Sequence, residues 1–137
     1  MDVLVDTSVW SLALRRLKTD VNTGEKRLAA DLGDLIRDDR ARLIGPIRQE
    51  LLSGIREQGQ YERIKGYLRP FPDEALFRED YEHAARCYNQ CRSRGITGSQ
   101  VDFLMCAVAL DRSWQILTAD VDFRSYAKVL SIQLFGA

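Results

Sequence analysis

The stretch Val3-Leu4-Val5-Asp6-Thr7-Ser8 sets three branched apolar residues directly before an acid and two hydroxyl side chains. Such a run reads as a short buried strand that ends in a helix N-cap. Val9, Leu12 and Leu14 continue it as a short helix, closed by the basic Arg15-Arg16-Leu17-Lys18 and followed by a loop over 19–24. Leu28, Leu32, Leu35 and Ile36 recur at helical spacing among charged residues, which predicts an amphipathic helix over 25–40. Leu43-Ile44-Gly45 is the second candidate strand. Pro46 then stands where a first helical residue would, ahead of an apolar face of Ile47, Leu51, Leu52 and Ile55.

The rest of the chain continues this alternation. A helix is expected over 60–68, broken by Pro70-Phe71-Pro72, which leaves room for a short extended piece near residue 70. A long helix should cover 75–93 and a loop 95–98. Residues 99–110 are apolar almost all round, as in a helix buried on every side. Segments 115–118 and 129–134 read as two more strands. Strands separated by helices predict an α/β sandwich with a mainly parallel sheet, and 137 residues suit one domain spanning 1–137.

Composition narrows the function classes. With 45% hydrophobic and 29% charged residues, the chain can bury a core and is no disordered tail. Twenty Lys+Arg balance twenty Asp+Glu, which argues against nucleic-acid binding by bulk positive charge and leaves a local basic patch open. The longest uninterrupted apolar run, 103–110, falls far short of the ~18 residues a membrane span needs. The first residues lack the basic start and apolar core of a signal peptide. Three cysteines, an odd number, suit a reducing compartment. A soluble cytoplasmic protein with no membrane contact is expected.

Four acids take comparable positions in this layout. Asp6 follows the first strand, Glu50 lies in the first turns of the helix after the second, and Asp120 follows strand 115–118. Asp102 lies at the start of the helix that feeds that strand. From Asp102 to Arg112 the helix runs about 15 Å at ~1.5 Å per residue. From Gln115 to Asp120 the strand returns about 16 Å at ~3.3 Å per residue. Asp102 and Asp120 should therefore finish at one end of the sheet, where ligands bind in open α/β folds. Two unit charges ~4 Å apart repel by about 4 kcal/mol at an effective dielectric of about 20, so these acids need a counter-charge. No Lys or Arg lies within three residues of Asp6 or Asp102. Oxygen-only ligands favour Mg²⁺ or Mn²⁺, and either ion would activate water against a phosphodiester.

Each acid also has a purely structural reading. Asp6, Thr7 or Ser8 can cap a helix, and Ser99-Gln100-Val101-Asp102 has the form of a capping box. Glu50 can be a solvated residue favoured by a helix dipole, and Asp120 a turn residue before a short helix over 121–127. Against this, Asp102 is set in an otherwise apolar segment, where a lone carboxylate is costly unless paired, capped or metal-bound.

The opening Val3-Leu4-Val5-Asp6-Thr7-Ser8-Val9-Trp10 resembles the first motif of PIN domains. Glu50-Leu51, Asp102 and Leu117-Thr118-Ala119-Asp120-Val121-Asp122-Phe123 follow at family-like intervals. In length the chain is similar to VapC-type ribonuclease toxins of toxin–antitoxin pairs. The resemblance implies a three-layer α/β/α fold, cleavage of RNA, and a catalytic set of Asp6, Glu50, Asp102 and Asp120. It implies Mg²⁺ or Mn²⁺ held by Asp6 and Asp102, with Asp120 completing the metal set and Asp122 an accessory. Thr7, Ser8 and Thr118 would support the acids by hydrogen bonds. It also implies a homodimer and a cognate antitoxin whose Arg reaches the acids. Val9, Trp10, Leu12 and Leu14, with the residues around 28–36, would either receive that antitoxin or close the core. Met105 departs from the branched aliphatic residue expected there, which bears on packing alone.

His83, Cys87 and Cys91 recur along one helical stripe but span two turns without a fourth ligand, so buried cysteines are favoured over zinc. Two rival functions stand beside a nuclease: a PIN-like module that binds without cleaving, and a receiver-type signalling domain. The four acids speak against the first. The second needs paired acids near the first strand, and Asp2 and Asp6, four residues apart, serve that poorly.

Overall fold

The computed structural model describes residues 1–14 and 22–136. The basic stretch 15–18 and most of the expected loop 19–24 lie outside the described residues. Strand β1 (Val3–Val5) leads into helix α1 (Thr7–Leu14); helix α2 (Thr23–Arg37) then precedes strand β2 (Ala41–Arg42). Helices α3 (Gly45–Leu52), α4 (Gln58–Leu68), α5 (Arg78–Ser93) and α6 (Gln100–Arg112) follow. Strand β3 (Gln115–Leu117), helix α7 (Asp122–Tyr126) and strand β4 (Gln133–Leu134) close the fold. The strands form one sheet in the order β2-β1-β3-β4, and every neighbouring pair is parallel. Helices flank this sheet, as a three-layer α/β/α sandwich requires.

β1 is short because it is wholly interior. Val3, Leu4 and Val5 are fully buried, the continuous apolar run that a strand covered on both faces needs. It pairs with β2 on one side and β3 on the other, in a register that sets Val5 opposite Leu117. The chain leaves β1 toward β2, and leaves β3 in the opposite direction toward β4. The carboxyl ends of β1 and β3 therefore flank the switch point of the sheet. α6, buried from Phe103 to Ala109, packs against both strands and against α5. It ends at Ser113, whose left-handed φ of 58° turns the chain back into β3.

Three strand assignments differ most from the sequence reading. The second strand pairs at Ala41–Arg42 rather than 43–45, because Ile44 is already the N-cap of α3 and Gly45 its first residue. Pro46 falls at the start of α3, where its missing N–H costs nothing. The extended piece near residue 70 reduces to a single bridge between Leu43 and Asp73. The last strand shrinks to Gln133–Leu134, because the Tyr126 carbonyl accepts the amides of Val129 (3.0 Å) and Leu130 (2.8 Å) and prolongs the turn after α7.

Val9, Trp10, Leu12 and Leu14 of α1 are buried, as are Leu32 and Leu35 of α2. The Trp10 ring meets Phe71 edge-on at 5.2 Å. These side chains close the core.

One buried ion pair ties the ends of α5 and α6. Arg112 donates to both carboxylate oxygens of Asp80, at 2.9 and 3.0 Å, and to the Ala75 carbonyl at 2.8 Å. The Phe77 amide donates to Asp80 at 2.9 Å. The Arg112 guanidinium holds the Asp80 carboxyl below its ordinary range against the opposing effect of burial. A depressed carboxylate adds stability above its unfolded pKa and loses it as pH falls through the folded value. Asp80→Ala should therefore cost about 3 kcal/mol at neutral pH. The gap to the wild type should shrink below about pH 4. Urea unfolding at pH 7 and pH 3 measures both; an equal gap at the two values would contradict this role.

Candidate active site

Asp6, Glu50, Asp102 and Asp120 line one open cleft of about 620 Å³ at the carboxyl edge of the sheet, together with Thr7 and Ser8. Asp6 is the first residue past β1, and its carbonyl accepts the amides of Val9 and Trp10, so it also starts α1. Its own amide donates to Leu117 of β3 at 2.9 Å, which ties the two strand ends together. Asp120 stands three residues past β3. Glu50 lies within α3, and Asp102 in the first turn of α6. All four acids singled out in the sequence thus meet, from four separate segments. Asp122 does not line the cleft: it is exposed, and its amide donates to Asp120 Oδ1 at 2.9 Å.

Hydroxyl groups hold these carboxylates in place. Asp6, only 7% exposed, accepts at Oδ2 from Ser8 (2.7 Å) and from Thr118 (2.8 Å). Ser8 accepts in turn from the Ala119 amide, and Thr118 from the Asp120 amide, at 3.0 and 2.9 Å. The β3–α7 loop is thereby locked to the start of α1. Thr7 donates to Glu50 Oε1 at 2.7 Å, joining α1 to α3. The Asp6-Thr7-Ser8 triplet therefore reaches three of the four segments.

Asp102 uses half of the expected capping box. Its amide donates to the Ser99 hydroxyl at 3.0 Å, but its carboxylate accepts at Oδ2 from the Tyr126 hydroxyl, at 2.7 Å. Tyr126 escaped the sequence reading, because nothing in a lone Tyr some twenty residues downstream signals a partner for Asp102. Burial raises the Asp102 pKa, the Tyr126 and Ser99 hydroxyls oppose the rise, and the charges of Asp6 and Asp120 add to it. Burial and the Asp102 charge also push the Tyr126 hydroxyl up, so it stays a donor.

Among the described residues no Lys, Arg or His forms an ion pair with any of the four acids. No three His, Cys, Asp or Glu side chains among them close on one point as a ready-made metal cage. The donors on offer are all oxygens, which suits Mg²⁺ or Mn²⁺. Mg²⁺ keeps several waters and needs only one or two carboxylates, so an open cleft of this kind fits it.

The other candidate cluster is structural. Cys87 and Cys91 are free thiols buried in the core, and burial pushes Cys87 up to about 11. His83 instead pairs with Asp111 across α5 and α6, Nδ1 to Oδ1 at 2.8 Å. Asp2 pairs with Arg42 at 3.1 Å, at the far end of the sheet from the cleft. It cannot join Asp6 in a receiver-type acid pair.

An open parallel sheet with a carboxylate cleft at its switch point is an α/β architecture with an acidic ligand site. The chain belongs to the PIN domain family, matching it over residues 3–129. Among solved structures it is similar to FitAcB from Neisseria gonorrhoeae, with TM-score 0.75 and 21% identity over 98% of this chain and 96% of that one. A structure of FitAB bound to an IR36 DNA fragment gives TM-score 0.72 and 20% identity over 97% and 93%. VapBC2 from Rickettsia felis, bound to a DNA fragment from their promoter, gives TM-score 0.72 and 12% identity over 98% and 97%. At these identities the likeness speaks for the fold. No curated protein sequence matches the chain significantly.

A carboxyl whose pKa is raised on folding lowers stability as pH rises past its unfolded value. With chelator present at pH 7, Asp102→Asn should therefore melt at a higher temperature than the wild type. The gap should close below about pH 4, where the carboxyl is protonated in both states. Calorimetry across this range measures it, and an Asn variant less stable at pH 7 would contradict the raised pKa.

Proposed function

We propose that this protein is a metal-dependent endoribonuclease and the toxin of a toxin–antitoxin pair. The observation that carries the reading is four carboxylates lining one cleft with no cationic partner among the described residues. Such an arrangement repels itself and repels a phosphodiester unless a cation enters. Asp6, Asp102 and Asp120 would hold Mg²⁺ or Mn²⁺, and Glu50 would complete the catalytic set. The bound ion supplies Lewis acidity and a water made easier to deprotonate.

The chain's own residues prepare this chemistry. Ser8 and Thr118 fix Asp6 through one oxygen, which leaves the other to face a cation. Thr7 orients Glu50 toward the same cleft. RNA as substrate rests on the resemblance to VapC-type toxins, as does a homodimer. Among the described residues no helix is long and apolar enough to cross a membrane.

An antitoxin partner is supported by the same resemblance and by the similarity to FitAB and VapBC2, structures solved on DNA. An Arg from such a partner would meet the acids as a bidentate counter-charge and displace the metal. A non-cleaving PIN module would have no use for a complete and hydrogen-bonded acid set.

RNA digestion should require Mn²⁺ or Mg²⁺ and stop on chelation. Asp6→Asn should lower the rate at least about a hundredfold while leaving the fold intact by circular dichroism. Undiminished cleavage after exhaustive chelation, or by Asp6→Asn, would remove the basis of this reading.

A further inference from the structure

Tyr126 is buried to 0% exposure, and its hydroxyl donates to Asp102 Oδ2 at 2.7 Å. Its ring is held on three sides. Phe103, the residue after Asp102, lies 4.9 Å away between centroids, and Phe123 of α7 packs edge-on at 5.1 Å. The third side is Gly98, in the loop before α6. A Cβ at that position would run into the Tyr126 hydroxyl oxygen and lie 2.7 Å from Cζ. Gly98 has no positive φ, so space for the phenol is the requirement it meets.

We infer that Tyr126, seated in the space left by Gly98, is the positioning residue for Asp102. It fixes the rotation of that carboxylate so that Oδ2 is occupied and Oδ1 is the oxygen offered to a divalent cation. The same pattern holds at Asp6, where both hydroxyl donors also fall on Oδ2. Asp6 and the half-buried Asp102 thus each keep Oδ1 for a cation. Asp6 takes its donors from the start of α1 and from the residue after β3, and Asp102 takes its donor from α7. The inference rests on the metal-dependent reading above and names a residue outside the acid set on which that reading stands.

Partners that orient a metal ligand usually contribute ten- to a hundredfold to affinity. The test is titration calorimetry with Mn²⁺ alone, without RNA, on the full chain and its variants. Tyr126→Phe keeps the ring and removes the donor, and should weaken Mn²⁺ binding about tenfold or more. Gly98→Ala displaces the hydroxyl and should weaken it similarly. The double variant should lose less than the sum, because both changes remove one interaction. Phe123→Leu loosens the same packing and leaves the hydroxyl; it should lower the melting temperature and change Mn²⁺ affinity less than about twofold.

Mn²⁺ affinity unchanged in Tyr126→Phe, or lost equally in Phe123→Leu, would overturn the positioning role. In either case, loss of binding in Asp102→Asn would show that the metal reading survives. A wild type that binds no Mn²⁺ would overturn both.

Discussion

Carboxylates gathered in one cleft repel each other, and Asp6 is set among the others while almost fully buried. What holds it there is a pair of hydroxyl groups, Ser8 and Thr118, both donating to Oδ2. Hydrogen bonds to a charged acceptor are the stronger kind, worth about 1.5–3 kcal/mol each. They offset part of the cost of taking this charge out of water. The two hydroxyls also bind the amides of Ala119 and Asp120. Charge placement and loop placement are therefore one problem with one solution, and the rest of the site hangs on it.

That solution depends on the sheet. Parallel pairing of β1 with β3 sets Val5 opposite Leu117, so the residues that follow each strand emerge side by side. The chain direction then diverges, to β2 on one flank and β4 on the other, and a crevice opens between them. α6 brings Asp102 to the same edge because it runs back over the length that β3 regains. The Asp80–Arg112 pair anchors the other end of that helix to α5, which keeps its register on the strands. A shift of one helical residue, about 1.5 Å, would move Asp102 out of reach of Tyr126.

Sequence patterns carried the parts governed by local physics. The buried run Val3–Val5, the apolar helix after Ser99 and the hydroxyl neighbours of Asp6 and Asp120 each announce themselves within a few residues. The convergence of the four acids was legible from element lengths together with the resemblance to PIN domains. Strand ends were less so. At Leu43-Ile44-Gly45 the branched residues look like strand, but the choice between strand and helix cap is made by the following helix. The role of Tyr126 was invisible, because it depends on a glycine and two phenylalanines that come together only in three dimensions. The apolar side chains of α1 gave no sign of whether they face a partner or the core; burial decides for the core.

The proposed function has these acids bind a divalent cation at the switch point of the sheet. It is tested most directly by a crystal structure of the wild-type protein grown with Mn²⁺, with anomalous diffraction recorded to locate the metal. Expected is an anomalous peak about 2.0–2.3 Å from carboxylate oxygens of both Asp6 and Asp102, with waters filling the remaining positions. A cleft without such a peak in crystals that hold Mn²⁺ elsewhere would contradict it.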